Sequence, residues 1–155
     1  MVREFTPAIY RVARAIVGES SAPDVVQDVF TAAWRELPKL REPQRFPAWL
    51  HRIAVNRSRS TLRSQSRVRE VDVALMENVL PAADFRPDVE ARAVLVPVLL
   101  ALPFDQRSVI ALHYAGGLTL SETAQVLEVP DGTVKSRLNT ALATMRRALA
   151  ETSDG

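Results

Sequence analysis

The strongest constraint on the fold is the spacing of apolar residues, which follows the helical period along almost the whole chain. Val26, Val29 and Ala33, for example, recur at intervals of three and four. No segment shows the strict alternation of apolar and polar residues that is typical of a half-buried strand. The sequence therefore predicts an all-α fold.

Favourable capping residues set the predicted beginnings of the first two helices. The first is predicted to begin at Thr6 and Pro7, because threonine is a good N-cap and proline suits the first helical position. The second is predicted to begin after Ser21. Its apolar stripe continues to Trp34 and Leu37, so we expect both side chains in its buried face.

Charge is distributed unevenly along a chain whose net charge is only +2. Six arginines and no acid lie between residues 52 and 69, whereas six acids and one arginine lie between residues 70 and 90. Such a charge run can also be an ordinary solvated face. Weak periodicity and two prolines favour a flexible acidic linker over residues 70–88. The prediction is two small helical domains, residues 1–69 and 89–155, joined by that linker.

The carboxy-terminal half contains the pattern of a helix-turn-helix. Its first helix either kinks at Pro97 or begins near Val96, since the proline ring displaces a carbonyl in the preceding turn. The sequence TLSE at 119–122 is a capping box that starts a short helix. Residues 128–130 separate this helix from the next one, and two helices joined by so tight a turn are typical of a DNA-reading module.

The second helix of this module has an apolar face opposite a small, polar one. Lys135 and Arg137 flank the polar face, on which Ser136, Asn139 and Thr140 can contact base edges. Such a helix fits a major groove, with the cations against the phosphate walls. An ordinary amphipathic helix with a solvated face would show a similar pattern. The predicted surface comprises Gly132, Thr133, Lys135, Ser136, Arg137, Asn139 and Thr140.

Two aromatic residues, Phe46 and Trp49, precede the arginine-rich part of a third predicted helix. Aromatic rings beside cations can stack on unpaired bases while the cations contact the backbone. The rings can also be core residues that pack against Phe30 and Trp34, which we expect for Trp49 in particular. The arginines are harder to explain without a polyanion.

Several classes of protein are excluded or disfavoured by composition. The absence of cysteine excludes disulfides, a thiol nucleophile and thiolate metal sites. His51 and His113 are far apart and lack metal-ligand spacing, and no nucleophile–base pair or phosphate-binding glycine loop is found. No apolar run approaches the ~18 residues of a membrane-spanning helix. We therefore expect no enzyme, cofactor, metal site, small-molecule substrate or membrane insertion, and a cytoplasmic location.

Three segments in order resemble the extracytoplasmic-function (ECF) group of bacterial RNA polymerase sigma factors, in the sigma-70 family. They are DVVQDVFTAAWRELPKLR, RFPAWLHRIAVN and LPFDQRSVIALHYAGGLTLSETAQVLEVPDGTVKSRL. The resemblance covers roughly residues 5–150. It implies a helical bundle of sigma region 2 over residues 1–69 and a helix-turn-helix of sigma region 4 over residues 89–155.

The resemblance also implies a function, which is to bind core RNA polymerase, recognise the −35 and −10 promoter elements and melt the −10 region. Asp24, Gln27, Asp28 and Arg35 would dock on the clamp helices of the largest polymerase subunit. Region 4 would lie near the flap of the second-largest subunit, and the acidic linker in the RNA exit path. An anti-sigma factor is a further candidate partner. The residues implied for the −10 element are Lys39, Arg41, Arg45, Asn56, Arg57, Arg59 and Arg63.

The sequence departs from the family pattern at a few positions. Glu128 stands where glycine usually makes the turn, and a left-handed non-glycine residue costs about 1 kcal/mol. Thr140 and Leu142 stand where arginines are common, which implies fewer contacts at the −35 element. These departures concern promoter choice more than family membership.

Two other classes of protein remain open from the residues alone. A free-standing helix-turn-helix regulator would bind duplex DNA tightly without polymerase, as a dimer over two half-sites. A helical protein-interaction module would show no salt-dependent DNA binding.

Overall fold

The computed structural model of the protein describes residues 2–66 and 89–153. Within these ranges all regular structure is helical, in two domains, as predicted. The predicted linker, residues 70–88, lies outside the described residues, so the exact domain boundaries stay a prediction. The helices are α1 (Val2–Val17), α2 (Ala22–Glu36), α3 (Phe46–Ser66), α4 (Val89–Ala101), α5 (Phe104–Ile110), α6 (Leu120–Leu127) and α7 (Asp131–Ser153). A π-helical turn at Ala111–Ala115 follows α5, and two 3-10 turns at Leu37–Lys39 and Pro43–Arg45 connect α2 to α3.

Two prolines lie inside helices rather than at their ends. The prediction that α1 begins at Pro7 was wrong, because α1 begins at Val2 and continues through the proline. The extra turn is stabilised by Phe5, whose ring packs edge-on against Phe46 with 5.2 Å between centroids. Likewise α4 begins at Val89 and continues through the exposed Pro97. In both helices the missing N–H removes a single hydrogen bond, which does not end the helix.

The end of α2 differs from the prediction. Trp34 is 80% exposed and Leu37 is 39% exposed, so their assignment to the buried face was wrong. Nine residues make two and a half helical turns, which places Trp34 on the opposite side of α2 from the buried Val25. Trp49 is a core residue, as expected, and packs against the same buried cluster as Phe30, but without Trp34. Its ring lies 5.7 Å from that of Phe46 between centroids.

Two hydrophobic clusters form the core, and the first of them is shared between the domains. It combines residues of α1–α3, such as Ile16 and Leu50, with Ala111, Leu112 and Val126 of the carboxy-terminal domain. The second cluster belongs to the carboxy-terminal domain alone. Its buried members are Leu102, Val109, Ile110, Ala124, Val134, Leu138, Ala141 and Met145. We call the contact of α1 and α3 with residues 104–118 and α6 the interdomain interface.

Hydrogen bonds from arginines extend this interface at its polar edges. Arg107 of α5 donates through Nη1 to the carbonyl of Ile16, in the last turn of α1, at 2.7 Å. Arg11 of α1 donates through Nε to the carbonyl of Ala115, at the end of the π-helical turn, at 3.1 Å. Helix C-termini carry carbonyls without intrahelical partners and a partial negative charge, so an arginine stabilises them.

The two domains are in close contact at Gly116. A Cβ atom on this residue would lie 2.8 Å from Val12 Cγ2 of α1 and 2.8 Å from the carbonyl oxygen of Leu112. A Cβ atom does not normally approach other heavy atoms as closely as either distance. Glycine is therefore required for this contact.

The helix-turn-helix has the caps that the sequence predicts. The hydroxyl of Thr119 accepts from the Glu122 backbone N–H at 3.0 Å, and the Thr119 N–H donates to Glu122 Oε1 at 2.9 Å. The hydrogen bond from the Thr119 N–H is the main reason why the pKa of the Glu122 carboxyl is lowered. Glu128 then ends α6 in the left-handed conformation, at φ 57° and ψ 44°, and α7 begins at Asp131.

The capping box predicts a measurable loss of stability. Thr119→Ala removes the side-chain acceptor at the N-terminus of α6 and should lower the free energy of unfolding by about 1 kcal/mol. Urea denaturation followed by circular dichroism measures the loss. Thr119→Ser keeps the hydroxyl and is the matched control. Equal stability of the alanine and serine variants would contradict a stabilising role for the cap.

Candidate nucleic-acid interface

Helix α7 presents the polar face that its sequence predicts. Val134, Leu138 and Ala141 are buried against the carboxy-terminal core. The opposite side, with Gly132, Lys135, Ser136, Asn139 and Thr140, is exposed, and Thr133 and Arg137 are half-buried at its edges. The tight turn at Glu128 holds this face outward, away from α6. Contact of this face with DNA stays a prediction.

Helix α3 separates the candidate −10 residues into two groups. At 100° per residue, Asn56, Arg59 and Arg63 lie on one side of α3, whereas Arg57 lies about 160° from Arg59. All four side chains are exposed. The structure therefore brings three of the four together, on the side that is turned toward α5 and α6.

The loop between α2 and α3 carries the remaining candidate −10 cations. Lys39 Nζ lies 3.2 Å from Glu36 Oε2, and Arg45 Nε lies 2.6 Å from Glu42 Oε2. Arg41 is also exposed. Ion pairs between exposed side chains contribute little free energy, so phosphates can replace the carboxylates as partners of these cations.

The candidate polymerase-docking residues share the solvent side of α2. Asp24, Gln27, Asp28 and Arg35 are all exposed. Trp34 lies at the carboxy-terminal end of the same helix and is 80% exposed, although the sequence predicts a buried residue there. The sequence contains a signal for this exposure, because at 100° per residue Trp34 lies on the opposite side of α2 from Val25. We call these five residues the α2 face.

Arg52 has protein partners, which the sequence did not predict for the arginine-rich segment. Its guanidinium donates to the carbonyls of Val126 at 3.2 Å and Gln125 at 2.9 Å, and Nη1 lies 3.2 Å from Glu128 Oε1. These carbonyls belong to the last turn of α6. Arg52 is therefore explained by the interdomain interface, without a polyanion.

His51 is buried in α3 with one ring nitrogen bonded. Its Nδ1 lies 2.7 Å from the carbonyl oxygen of Pro47, so Nδ1 carries the proton, since a carbonyl can only accept. Its Nε2 is buried without a hydrogen-bond partner among the described residues. Burial lowers the pKa of His51, against smaller opposite effects of the Pro47 bond and the Glu122 carboxylate.

Other kinds of site find no support in the part of the chain that the structure describes. Its His, Asp and Glu side chains form no group of three that could hold a metal ion. None of the described helices combines the length and the apolar character that a membrane crossing requires.

The sequence matches two families of the sigma factors of RNA polymerase. Sigma-70 region 2 matches residues 1–68, and Sigma-70 region 4 matches residues 95–145. The ECF RNA polymerase sigma factor SigM of Mycobacterium tuberculosis is 34% identical over 148 residues, which cover 95% of this chain and 74% of SigM. The ECF RNA polymerase sigma-E factor of Escherichia coli is 33% identical over 134 residues, which cover 79% of this chain and 70% of sigma-E.

Solved structures of other proteins share the fold. The sigma factor RpoE of Bartonella quintana, solved in complex with the anti-sigma factor NepR, aligns with a TM-score of 0.75 and 26% identity over 96% of this chain and 95% of RpoE. CnrH, solved in complex with the cytosolic domain of CnrY, aligns with a TM-score of 0.69 and 28% identity over 97% of this chain and 85% of CnrH.

These matches define the class of protein as a sigma-70-type transcription initiation factor with regions 2 and 4. Within that class, the chain belongs to the ECF RNA polymerase sigma factors.

Burial of His51 predicts a pH dependence of stability. The folded state favours the neutral imidazole, so below the usual histidine pKa of about 6.5 the unfolded chain binds more protons than the folded one. The free energy of unfolding should therefore fall as the pH decreases from 7.5 to 5.5. Urea denaturation at both pH values measures the decrease.

The variant for this experiment is His51→Leu, which should show a smaller decrease between pH 7.5 and 5.5 than the native protein, since it lacks the buried imidazole. An unchanged decrease in His51→Leu would contradict the assignment of the pH dependence to His51.

Proposed function

We propose that this sigma factor directs promoter-specific initiation through three surfaces on three helices. The α2 face binds core polymerase, α3 and the loop before it bind and melt the −10 element, and α7 reads the −35 element. The observation that carries this proposal is the outward polar face of α7, which lies opposite a buried apolar face and beyond a capped, tight turn.

The α2 face has the composition of a protein interface. Exposed tryptophan side chains are rare on monomers and frequent at the energetic centres of interfaces. Trp34 is 80% exposed, and Arg35 and the two aspartates add charges for orientation. We infer that this face docks on the clamp helices of the largest polymerase subunit, with Trp34 as its apolar anchor.

Opening of the −10 element needs binding energy rather than covalent chemistry. Flipping a base out of the duplex costs a few kcal/mol. Three side chains of α3, Asn56, Arg59 and Arg63, share one side of the helix, and the cations from Lys39 to Arg45 precede it. We propose that the arginines hold the backbone of the displaced strand and that the loop accepts a flipped base. Arg57 would contact the backbone from the other side of α3.

The helix α7 would enter the major groove of the −35 element. Lys135 and Arg137 would contact phosphates on either side, and Ser136, Asn139 and Thr140 would contact bases. Gly132 and Thr133, at the helix N-terminus, would lie against a phosphate. Because Thr140 is uncharged, the contact of α7 with the −35 element is expected to be weaker than that of a relative with arginine at this position.

Further features of the proposal concern partners and location. Region 4 would lie near the flap of the second-largest polymerase subunit, and the linker in the RNA exit path. Because RpoE was solved in complex with the anti-sigma factor NepR, an anti-sigma factor is a proposed partner of this chain too. We propose a cytoplasmic, non-catalytic protein that uses no cofactor or small-molecule substrate.

Charge reversal on the α2 face tests the docking proposal. Asp28→Arg should lower the affinity for core polymerase by about tenfold, because it puts a positive charge at a position where the proposed contact has a negative one. Trp34→Ala should weaken binding by a similar factor, as is typical of an interface anchor. Fluorescence anisotropy of the labelled protein, titrated with core enzyme, measures both affinities.

The charge-matched control for Asp28→Arg is Glu4→Arg, which reverses an exposed acid on α1, outside the α2 face. It should bind core polymerase like the native protein. Thermal unfolding should be unchanged in Trp34→Ala, since the side chain is mostly in solvent. Native affinity in both α2 variants would refute the docking assignment.

Substitutions on α7 test the proposed −35 contact in the assembled holoenzyme. Lys135→Ala should weaken binding to all promoters and reduce the slope of log K against log salt by about 1, because it removes one phosphate contact. Asn139→Ala should instead relax the preference at one base pair of the −35 element. Filter binding to a small promoter library at several salt concentrations measures both effects. An unchanged slope in Lys135→Ala would remove this residue from the proposed interface.

A further inference from the structure

The polar face of α7 continues beyond the residues that we place on the −35 element. Arg146 and Arg147, both exposed, lie on this face closer to the end of the helix. Arg146 follows Lys135 by eleven residues, which make close to three helical turns. Arg147 follows Ser136 by the same interval. Each arginine therefore lies within about 20° of its counterpart around the helix axis. We call Arg146 and Arg147 the arginine pair.

Helix α7 is continuous between the proposed −35 residues and the arginine pair. It extends from Asp131 to Ser153, and from Thr133 onward it contains neither glycine nor proline. Met145, the residue before the pair, is 9% exposed and belongs to the second hydrophobic cluster. Burial of this side chain fixes the rotation of α7 at this level. The arginine pair is therefore held on the same side of the helix as Lys135.

The described part of the protein supplies no ion-pair partner for the arginine pair. Across residues 2–66 and 89–153, no carboxylate pairs with either guanidinium. Cations also stabilise a helix C-terminus, but this effect is confined to the last turn. Arg147, the nearer of the two, lies six residues before Ser153, where α7 ends. Neither an ion pair nor the helix dipole therefore explains two arginines at these positions.

The distance along α7 places the arginine pair outside the groove that the proposed −35 residues enter. Arg146 lies about 16.5 Å beyond Lys135 along the helix axis, at 1.5 Å per residue. The major groove of B-form DNA is about 12 Å wide. A recognition helix whose first turns contact bases can therefore extend past the groove wall. The C-terminal end of the recognition helix of homeodomains contacts the DNA backbone in this way.

We propose that the arginine pair binds two phosphates of the DNA backbone beside the −35 element, outside the groove that α7 enters. This inference rests on the proposed contact of α7 with the −35 element and adds a second site to it. Phosphate contacts position a protein on the duplex but carry no direct sequence information. The pair therefore strengthens binding to all promoters alike and leaves the preference for bases to Ser136, Asn139 and Thr140.

The first test is the salt dependence of promoter binding by holoenzyme that contains the double variant Arg146→Gln/Arg147→Gln. Glutamine has nearly the helix propensity of arginine, so α7 should stay folded. Loss of two phosphate contacts should reduce the slope of log K against log salt by about 2, and should lower the affinity at low salt on the order of tenfold. The base preference at the −35 element should stay native. Filter binding to a small promoter library measures the slope and the preference.

Two controls separate a local phosphate contact from a change in net charge. Arg146→Lys/Arg147→Lys keeps both charges, and lysine binds phosphate as a point charge, so this variant should keep the native slope. Arg3→Gln removes a positive charge from an exposed position on α1, outside the proposed DNA surfaces, and should also keep it. A reduced slope in Arg3→Gln would attribute the effect to net charge and overturn the assignment of phosphates to the pair.

Neutral phosphates locate the contact on the DNA. In a series of promoters, a methylphosphonate removes one negative charge at successive positions in and beside the −35 element. Native holoenzyme should bind more weakly wherever a contacted phosphate is neutral. Two positions beside the element should lose this effect in Arg146→Gln/Arg147→Gln, whereas a position contacted by Lys135 should keep it. The same set of sensitive positions in both proteins would contradict the proposal.

The outcomes separate this inference from the proposed function. A native slope in the double glutamine variant, with a reduced slope in Lys135→Ala, would overturn the second site and leave the −35 surface in place. A native slope in both variants would also overturn the −35 assignment of α7. Weaker binding of the double glutamine variant to core polymerase, with a native salt slope on DNA, would assign the pair to a protein partner instead. A slope reduced by about 2, with native affinity for core polymerase, supports the second site.

Discussion

The arrangement of the two domains depends on arginine side chains that cap helix C-termini across the interface. Arg107 bonds the end of α1, Arg11 bonds the end of the π-helical turn, and Arg52 bonds the end of α6. Each of these ends carries carbonyls that lack partners within their own helix. Because donors and acceptors come from opposite domains, the same hydrogen bonds satisfy the helix ends and fix how the domains lie. Separation of the domains returns these carbonyls to water.

Much of the secondary structure could be predicted from local sequence, because helix caps and periodicity act over a few residues. The capping box at Thr119, the turn at Glu128 and the rotation of α7 are confirmed. Predictions from local sequence were wrong where tertiary structure decides the position of a helix end or a side chain. Pro7 lies inside α1 because Phe5 has a partner in α3 that no local rule shows. Trp34 is exposed, although its apolar character favours burial.

The candidate surfaces were predicted in part, and the interface between domains was not. The polar face of α7 follows from helical angles alone, so the sequence was sufficient to find it. Arg52 bonds residues more than 70 positions away, and Arg11 bonds one 104 positions away. Such pairings leave no trace in periodicity or composition. The basic segment therefore resembled a uniform nucleic-acid surface, whereas its first arginine is a structural contact between domains.

The conformation of Glu128 links the shape of the helix-turn-helix to the contact between domains. Its left-handed backbone costs a non-glycine residue about 1 kcal/mol, while its carboxylate pairs with Arg52. Replacement by glycine would relieve the backbone and delete the ion pair in one step. A relative with glycine at this turn would therefore adopt the left-handed conformation at lower cost. It would also lack the ion pair that joins the turn to α3 across the interdomain interface.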